Sequence, residues 1–140
     1  EYKSNIHLDA EKDVEVDMTR LRIAIENIMD NAIQYMSNDV KELTLEANND
    51  DKNLYITIRD TGIGIPQVEQ EQIFKEFFRA SNARKKQSAG NGIGLYTCKQ
   101  YIEAHHGTIR FESVEGKGTT FFISIPLKTY IDVDGSLSKL

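Results

Sequence analysis

The chain predicts an α/β two-layer sandwich, with a mixed, mostly antiparallel sheet and about three helices on one face. Three observations predict it. Segments of alternating polarity occur in pairs joined by turn-rich residues, and such hairpins pair antiparallel. Two longer segments repeat apolar residues at helical spacing. Strand and helix signals interleave, but the strands come mostly as hairpins, which excludes a doubly wound parallel sheet.

Asn5 to Asp9 alternates around Ile6 and Leu8 and reads as a short strand. Val14 and Val16 make a second short extended piece. Asp17 can cap a helix running to about Met36, with Leu21, Ile25, Ile28, Ala32 and Met36 on one apolar face. Leu43 to Ala47 and Leu54 to Asp60 alternate around a turn of Asn and Asp, which predicts a hairpin. Pro66 can open a short helix carrying Ile73, Phe74, Phe77 and Phe78. Ser81 to Gly90 is polar and basic without periodicity and reads as a mobile loop. A helix follows from about Ile93 to His106, with Leu95, Cys98 and Ile102 on one face and Gly107 placed to end it. Thr108 to Ser113 and Thr119 to Ile125 form a second hairpin. The domain spans residues 1–127, and residues 128–140 read as a polar tail or linker. Thr44, Glu46, Thr57 and Arg59 predict that the sheet's second face is the more exposed one.

The 140 residues fit one domain that buries its own core. A net charge of −5, with no broad basic excess, argues against a nucleic-acid binder. No apolar run approaches the roughly 20 residues that span a bilayer. With Cys98 alone no intrachain disulfide can form, which fits a reducing compartment. The start at Glu1 reads as a piece of a longer protein.

Four motifs carry chemistry. Asn27 and Asn31 lie four apart on the first helix, close to its apolar stripe. Asn offers a hard neutral oxygen that suits Mg²⁺ already neutralised by phosphates. Taken alone, a pair of hydrogen-bonded amides is the plainer reading. In Asp60-Thr61-Gly62-Ile63-Gly64-Ile65, period two puts Asp60 on the apolar face of Leu54, Ile56 and Ile58. A carboxylate there needs donors, and the exocyclic amine of adenine is a fitting one. An ordinary Asp-Gly turn is the alternative.

Gly90-Asn91-Gly92-Ile93-Gly94-Leu95 directly precedes a helix, where free N–H groups and the helix dipole favour phosphate. It lacks both the strand of a dinucleotide-binding unit and the Gly-Lys-Ser/Thr ending of a P-loop. The Phe-rich segment from Ile73 to Arg79 anchors one end of a basic stretch with Arg79, Arg84, Lys85 and Lys86, and the glycine loop anchors the other. That is the layout of a charged flap over polyphosphate, although a solvated loop is the usual reading of a charge run.

In order and spacing the four segments closely resemble the N, G1, F and G2 boxes of histidine-kinase catalytic domains, and the likeness covers Ile6 to Leu127. Glu103 to Ile109 and Gly116 to Phe121 also look like that family. The resemblance implies a Bergerat-type fold binding ATP and Mg²⁺. It implies γ-phosphoryl transfer to a histidine on a separate dimerisation domain, with a response regulator downstream. Carried over by position, Asn31 is the Mg²⁺ ligand with Asn27 beside it, and Arg79 joins them as catalytic. Asp60 accepts from adenine, sharing a water with a hydroxyl such as Thr120. Gly62, Gly64, Ile65 and Tyr35 line the nucleotide, and Gly90, Gly92, Gly94 and Leu95 cover the phosphates.

Gln34 departs from the family, where Lys is frequent, so the missing charge falls to Arg79, Arg84 or Lys85. His7, His105 and His106 lack the acidic neighbour motif of a phosphoacceptor and read as structural. Relatives that hydrolyse ATP carry a Glu where this chain has Asn27, and Glu26 points about 100° away around the helix. A degenerate nucleotide-binding scaffold and an anti-sigma-type serine kinase are the rival readings. The domain is expected to be cytoplasmic, part of a membrane-bound sensor without contacting the membrane itself, and a monomer by itself.

Overall fold

The computed structural model describes residues 3–9, 16–36, 39–127, 130–131 and 137–138. Strands β1 (Lys3–Asp9), β2 (Glu42–Asn49), β3 (Asn53–Asp60), β4 (Thr108–Val114) and β5 (Gly118–Pro126) form one sheet in the order β1-β2-β3-β5-β4. β1 runs parallel to β2, and the other pairs are antiparallel. The parallel pair is reached through helix α1 (Met18–Gln34), as a crossover requires. The expected mixed sandwich is therefore present. Val14 lies outside the described residues, as does most of the C-terminal tail, of which Tyr130–Ile131 pairs with Leu137–Ser138.

Period two decides which face is covered. Leu54, Ile56 and Ile58 of β3 and Phe121, Ile123 and Ile125 of β5 are all buried. Against them pack Leu21, Ala24, Ile28 and Ala32 of α1, and Cys98 and Ile102 of helix α3 (Gly94–Ala104). Each fully buried isoleucine contributes about 2 kcal/mol by leaving water. On the opposite face the register aligns Thr44, Arg59 and Thr120 in one row and Glu46, Thr57 and Phe122 in the next. Glu46 and Arg59 are exposed there.

The side chain of Asp17 caps α1 by accepting from the Arg20 N–H at 3.0 Å. The helix stops at Gln34 rather than Met36, because Tyr35 and Met36 peel away to meet the loop after β3. The Tyr35 carbonyl accepts from the Ile63 N–H at 3.0 Å, and Met36 bridges Gly62. At the end of α3, His106 takes the left-handed conformation at φ 53°. Its N–H donates to the Glu103 carbonyl and that of Gly107 to the Ile102 carbonyl, a Schellman ending. Gly107 is therefore the residue after the left-handed one. A side chain at Gly107 would start 2.5 Å from the Ser124 carbonyl oxygen, so close packing on β5 excludes one.

His105 is structural, as expected. Its Nε2 accepts from the Asp17 N–H at 2.9 Å, so the ring proton sits on Nδ1 and donates to the Tyr101 carbonyl at 2.7 Å.

Two expectations are corrected. After Pro66 the chain makes a 3₁₀ turn, Gln67–Gln72, and the phenylalanines lie beyond it. Phe74 packs edge-on against Phe111 and Phe121, whereas Phe77 is exposed with φ 63°. The stretch read as a loop contains a short helix, α2 (Ser81–Lys86). It has no buried residue and no apolar period. Tertiary hydrogen bonds hold it: the Glu69 carboxylate accepts from the Ser81 N–H and hydroxyl at 3.0 and 2.9 Å.

Candidate nucleotide-binding site

A cavity of about 250 Å³ opens between the end of α1, the loop after β3, α2, and the start of α3. Asn31, Gln34, Tyr35, Asp60, Gly64, Ile65, Arg79, Gly90, Gly92, Gly94 and Leu95 all reach it. Four separate sequence motifs thus converge on one wall-to-wall space.

Asp60 ends the buried row of β3 and lies on the cavity floor. Its Oδ1 accepts from the Gly62 N–H at 2.8 Å and from the Thr119 N–H at 3.3 Å. Oδ2 receives no hydrogen bond from the described residues. Burial pushes the carboxyl above its ordinary 3.8, and the two backbone donors pull back less strongly. A half-buried carboxylate with one oxygen unclaimed demands a donor from whatever enters. Beside it, Gly64 sits at φ 63°, and a side chain there would start 2.1 Å from the Val114 carbonyl oxygen. This loop is thereby pressed against the β4–β5 turn, where the Ile65 N–H also donates to the Ser113 hydroxyl at 2.9 Å.

The opposite wall is the glycine loop and the N-terminus of α3. Gly94 needs no unusual backbone, and a Cβ there would come no nearer than 3.8 Å to any protein atom. What its bareness leaves open is the cavity. Free N–H groups at this helix start suit a phosphate. Arg79 lines the cavity while donating to the Ser88 carbonyl at 3.0 Å, the Gln87 carbonyl at 2.6 Å and the Tyr35 hydroxyl at 3.2 Å.

Three expected residues lie elsewhere. Asn27 is not on the cavity wall; its Nδ2 donates to the Gly94 carbonyl at 3.3 Å and so positions α3. Gly62 packs behind the wall, with Tyr35 and Asp60 too close for a side chain. Thr120 pairs with Arg59 on the far face of the sheet, because alternate residues of β5 point opposite ways. The residue opposite Asp60 is Thr119, which is buried and lines the cavity. Its row mates Phe121, Ile123 and Ile125 carried that signal in the sequence. Arg84 and Lys85 are exposed and off the cavity wall, so Arg79 is the cation on that wall. Asn82 of α2, unweighed in the sequence, also lines it.

The donor set fits magnesium. Asn31 presents a neutral amide to the cavity, and no hydrogen bond to the described residues claims it. Among the described residues no cluster of His, Cys, Asp or Glu forms a metal cage. Mg²⁺ typically takes one or two protein oxygens plus waters and phosphates, so an Asn alone is adequate.

A sheet covered on one side, with a carboxylate-floored and glycine-walled cavity under a short lid helix, defines an ATP-binding domain. A profile of the family described as histidine kinase-, DNA gyrase B-, and HSP90-like ATPases matches residues 16–129, and the chain belongs to that family. It is similar to the sensor histidine kinase WalK of Bacillus subtilis, with 36% identity over 116 residues. That match covers 82% of this chain but 19% of the relative, so the chain spans a small part of the relative's length. Among solved structures it resembles a mycobacterial sensor histidine kinase, MprB, with TM-score 0.74 and 25% identity, covering 89% of this chain and 81% of that one. The catalytic domain of the histidine kinase ThkA is similar at TM-score 0.70 and 25% identity, covering 89% and 80%. Among the described residues no helix is long and apolar enough to cross a membrane.

Proposed function

We propose that this chain is the ATP-binding catalytic domain of a two-component sensor histidine kinase, transferring the γ-phosphoryl of ATP to a histidine on a separate dimerisation domain. The observation that carries this is Asp60: a half-buried carboxylate with a free Oδ2, facing the bare N-terminus of α3 across the cavity. Its acceptor suits the adenine amine, and the glycine wall suits the phosphates. The likeness to named histidine kinases supports the acceptor class.

In this reading Asp60 orients the base and Thr119 backs it. Gly64, Ile65 and Tyr35 shape the base and ribose walls. Gly90, Gly92, Gly94 and Leu95 cover the phosphates with backbone N–H groups. Asn31 would hold Mg²⁺, which supplies charge neutralisation for an in-line phosphoryl transfer. Asn27 sets the height of α3 through Gly94, and Arg79 keeps a guanidinium at the phosphate end. Such transfer needs positioning and neutralisation more than a covalent catalyst. Glu26 pairs with Arg22 at 3.9 Å on the exposed side of α1, away from the cavity, which speaks against a water-activating base and hydrolysis.

The domain is proposed to work in the cytoplasm beside its parent's phosphoacceptor helices, upstream of a response regulator, and to be a monomer when isolated. A concentration-independent dimer in sedimentation would contradict the last point. The deciding experiment is calorimetric titration of ADP and a non-hydrolysable ATP analogue, with and without Mg²⁺, on wild type and Asp60→Asn. Saturable binding, weakened at least about 100-fold in the variant, is the expected result. No binding at millimolar nucleotide sinks the kinase reading and leaves a degenerate scaffold.

A further inference from the structure

α2 should not persist by itself. It has six residues, buries none of them, and is far shorter than helices that survive in water. What holds it is a set of polar hooks, and their targets show what the helix does in return. Its start is tied to Glu69 through Ser81. Asn82 Nδ2 donates to the Gly64 carbonyl at 2.8 Å and toward the Ile63 carbonyl at 3.4 Å, while Oδ1 accepts from the Ala83 N–H at 2.9 Å. Both ends of this carboxamide are claimed, and a flipped amide would face two carbonyls with its oxygen. At the other end of α2, Lys86 Nζ donates to the Met36 carbonyl at 2.7 Å. An ammonium donor makes that bond stronger than a neutral one.

These three carbonyls belong to one unit. Met36 bridges Gly62, the Ile63 N–H bonds the Tyr35 carbonyl, and the Gly62 N–H bonds Asp60. The loop from Thr61 to Ile65 is thus clamped between the end of α1 and the underside of α2. Arg79 bonds Gln87 and Ser88, on the approach to the glycine loop, and also donates to the Tyr35 hydroxyl at 3.2 Å.

We infer that Asn82 and Lys86 are positioning residues, through which α2 grips the base-side loop that carries Asp60 rather than the phosphate-side glycines. The inference rests on reading Asp60 as the adenine acceptor. It gives α2 one task within the lid, setting how firmly the base end is held, while Arg79 ties the approach to the glycine loop back to Tyr35. Removing a hook therefore weakens every adenine nucleotide alike, whatever its number of phosphates.

The test compares wild type, Asn82→Ala, Lys86→Met and Lys86→Arg. Methionine keeps much of the aliphatic stem and removes the donor, and arginine restores a donor. Amide hydrogen exchange of Gly62 and Ile63 is followed in ligand-free protein, and affinity is measured for ADP and a non-hydrolysable ATP analogue. Asn82→Ala and Lys86→Met are expected to accelerate exchange at both amides about tenfold. They are also expected to weaken both nucleotides by one common factor of about five to ten, with Lys86→Arg close to wild type. Unchanged exchange at Gly62 and Ile63 overturns the inference. So does loss confined to the ATP analogue, which would put Lys86 on the phosphates. A wild type that binds neither nucleotide fails the adenine reading instead, while the exchange rates still decide whether α2 grips this loop.

Discussion

The Asp60 wall of the cavity ends a strand paired along its length, whereas the glycine wall follows no strand and hangs on side chains and a backbone bond at Gly92. Behind Asp60 stand β3 and β5, paired from Asn53 to Asp60, and the end of α1 is stitched to the same loop. Opposite, Gly90 and Gly92 belong to a segment held by Arg79 at Gln87 and Ser88, by the Asn91 side chain at the Ile93 N–H, and by a backbone bond from the Phe77 N–H to the Gly92 carbonyl at 3.1 Å. The strand behind Asp60 opens only when the sheet does, whereas the loop after it and the glycine segment open locally. In the proposed reading the base lies against the strand-backed side and the phosphates lie under the adjustable side. That division suits a domain that must hold a nucleotide and then present its far end to a second domain.

Matched glycine substitutions are the sharpest way to break this comparison. Gly64→Ala forces a side chain into the Val114 carbonyl at φ 63°. It is expected to cost about 3 kcal/mol in denaturant unfolding, with nucleotide binding lost alongside. Gly94→Ala meets no protein atom closer than 3.8 Å. Its stability should hold or rise by about 0.5 kcal/mol, while calorimetry shows affinity falling about 30-fold. If both variants lose stability alike, the two walls are not built differently.

Acid sharpens the contrast at Asp60. Burial raises this carboxyl above 3.8, so its ionisation opposes folding. Its contribution to stability is fully present below 3.8 and is lost as pH rises through the raised folded value. Under the proposed role of Asp60, binding runs the other way, because an adenine amine would need the carboxylate. Below the folded pKa, ADP affinity is expected to fall about tenfold per pH unit. In Asp60→Asn this pH dependence of stability should flatten, as followed by thermal unfolding across the same range. The smallest effect tests the strand face. Thr119→Val should weaken ADP about threefold, and Thr120→Val should leave it unchanged, since only Thr119 lines the cavity.

Much of the Asp60 wall was legible because strand period is strict. Leu54, Ile56 and Ile58 carry the eye to Asp60, and the Asn-Asp turn sets the hairpin. The same rule applied to Phe121, Ile123 and Ile125 points to Thr119, with Thr120 on the opposite face. The lid was less legible for a physical reason. α2 has no apolar face, so nothing periodic announces it, and its hooks reach residues 12 to 50 positions away. Asn27 shows a third case: its side chain bonds a carbonyl 67 residues on, and its helical neighbours do not encode that partner. Local pattern reveals which side chains share a face, and it is silent on which distant carbonyl they meet.

Cys98, the chain's one cysteine, is fully buried, with a thiol that burial pushes up to about 12. At neutral pH almost none of it is thiolate, so maleimides and iodoacetamides find little to attack. A second cysteine placed at Arg59, on the exposed sheet face, would then be the single labelling point of the unmodified fold. A dye or a surface tether attached there sits across the sheet from the cavity, leaving both walls free.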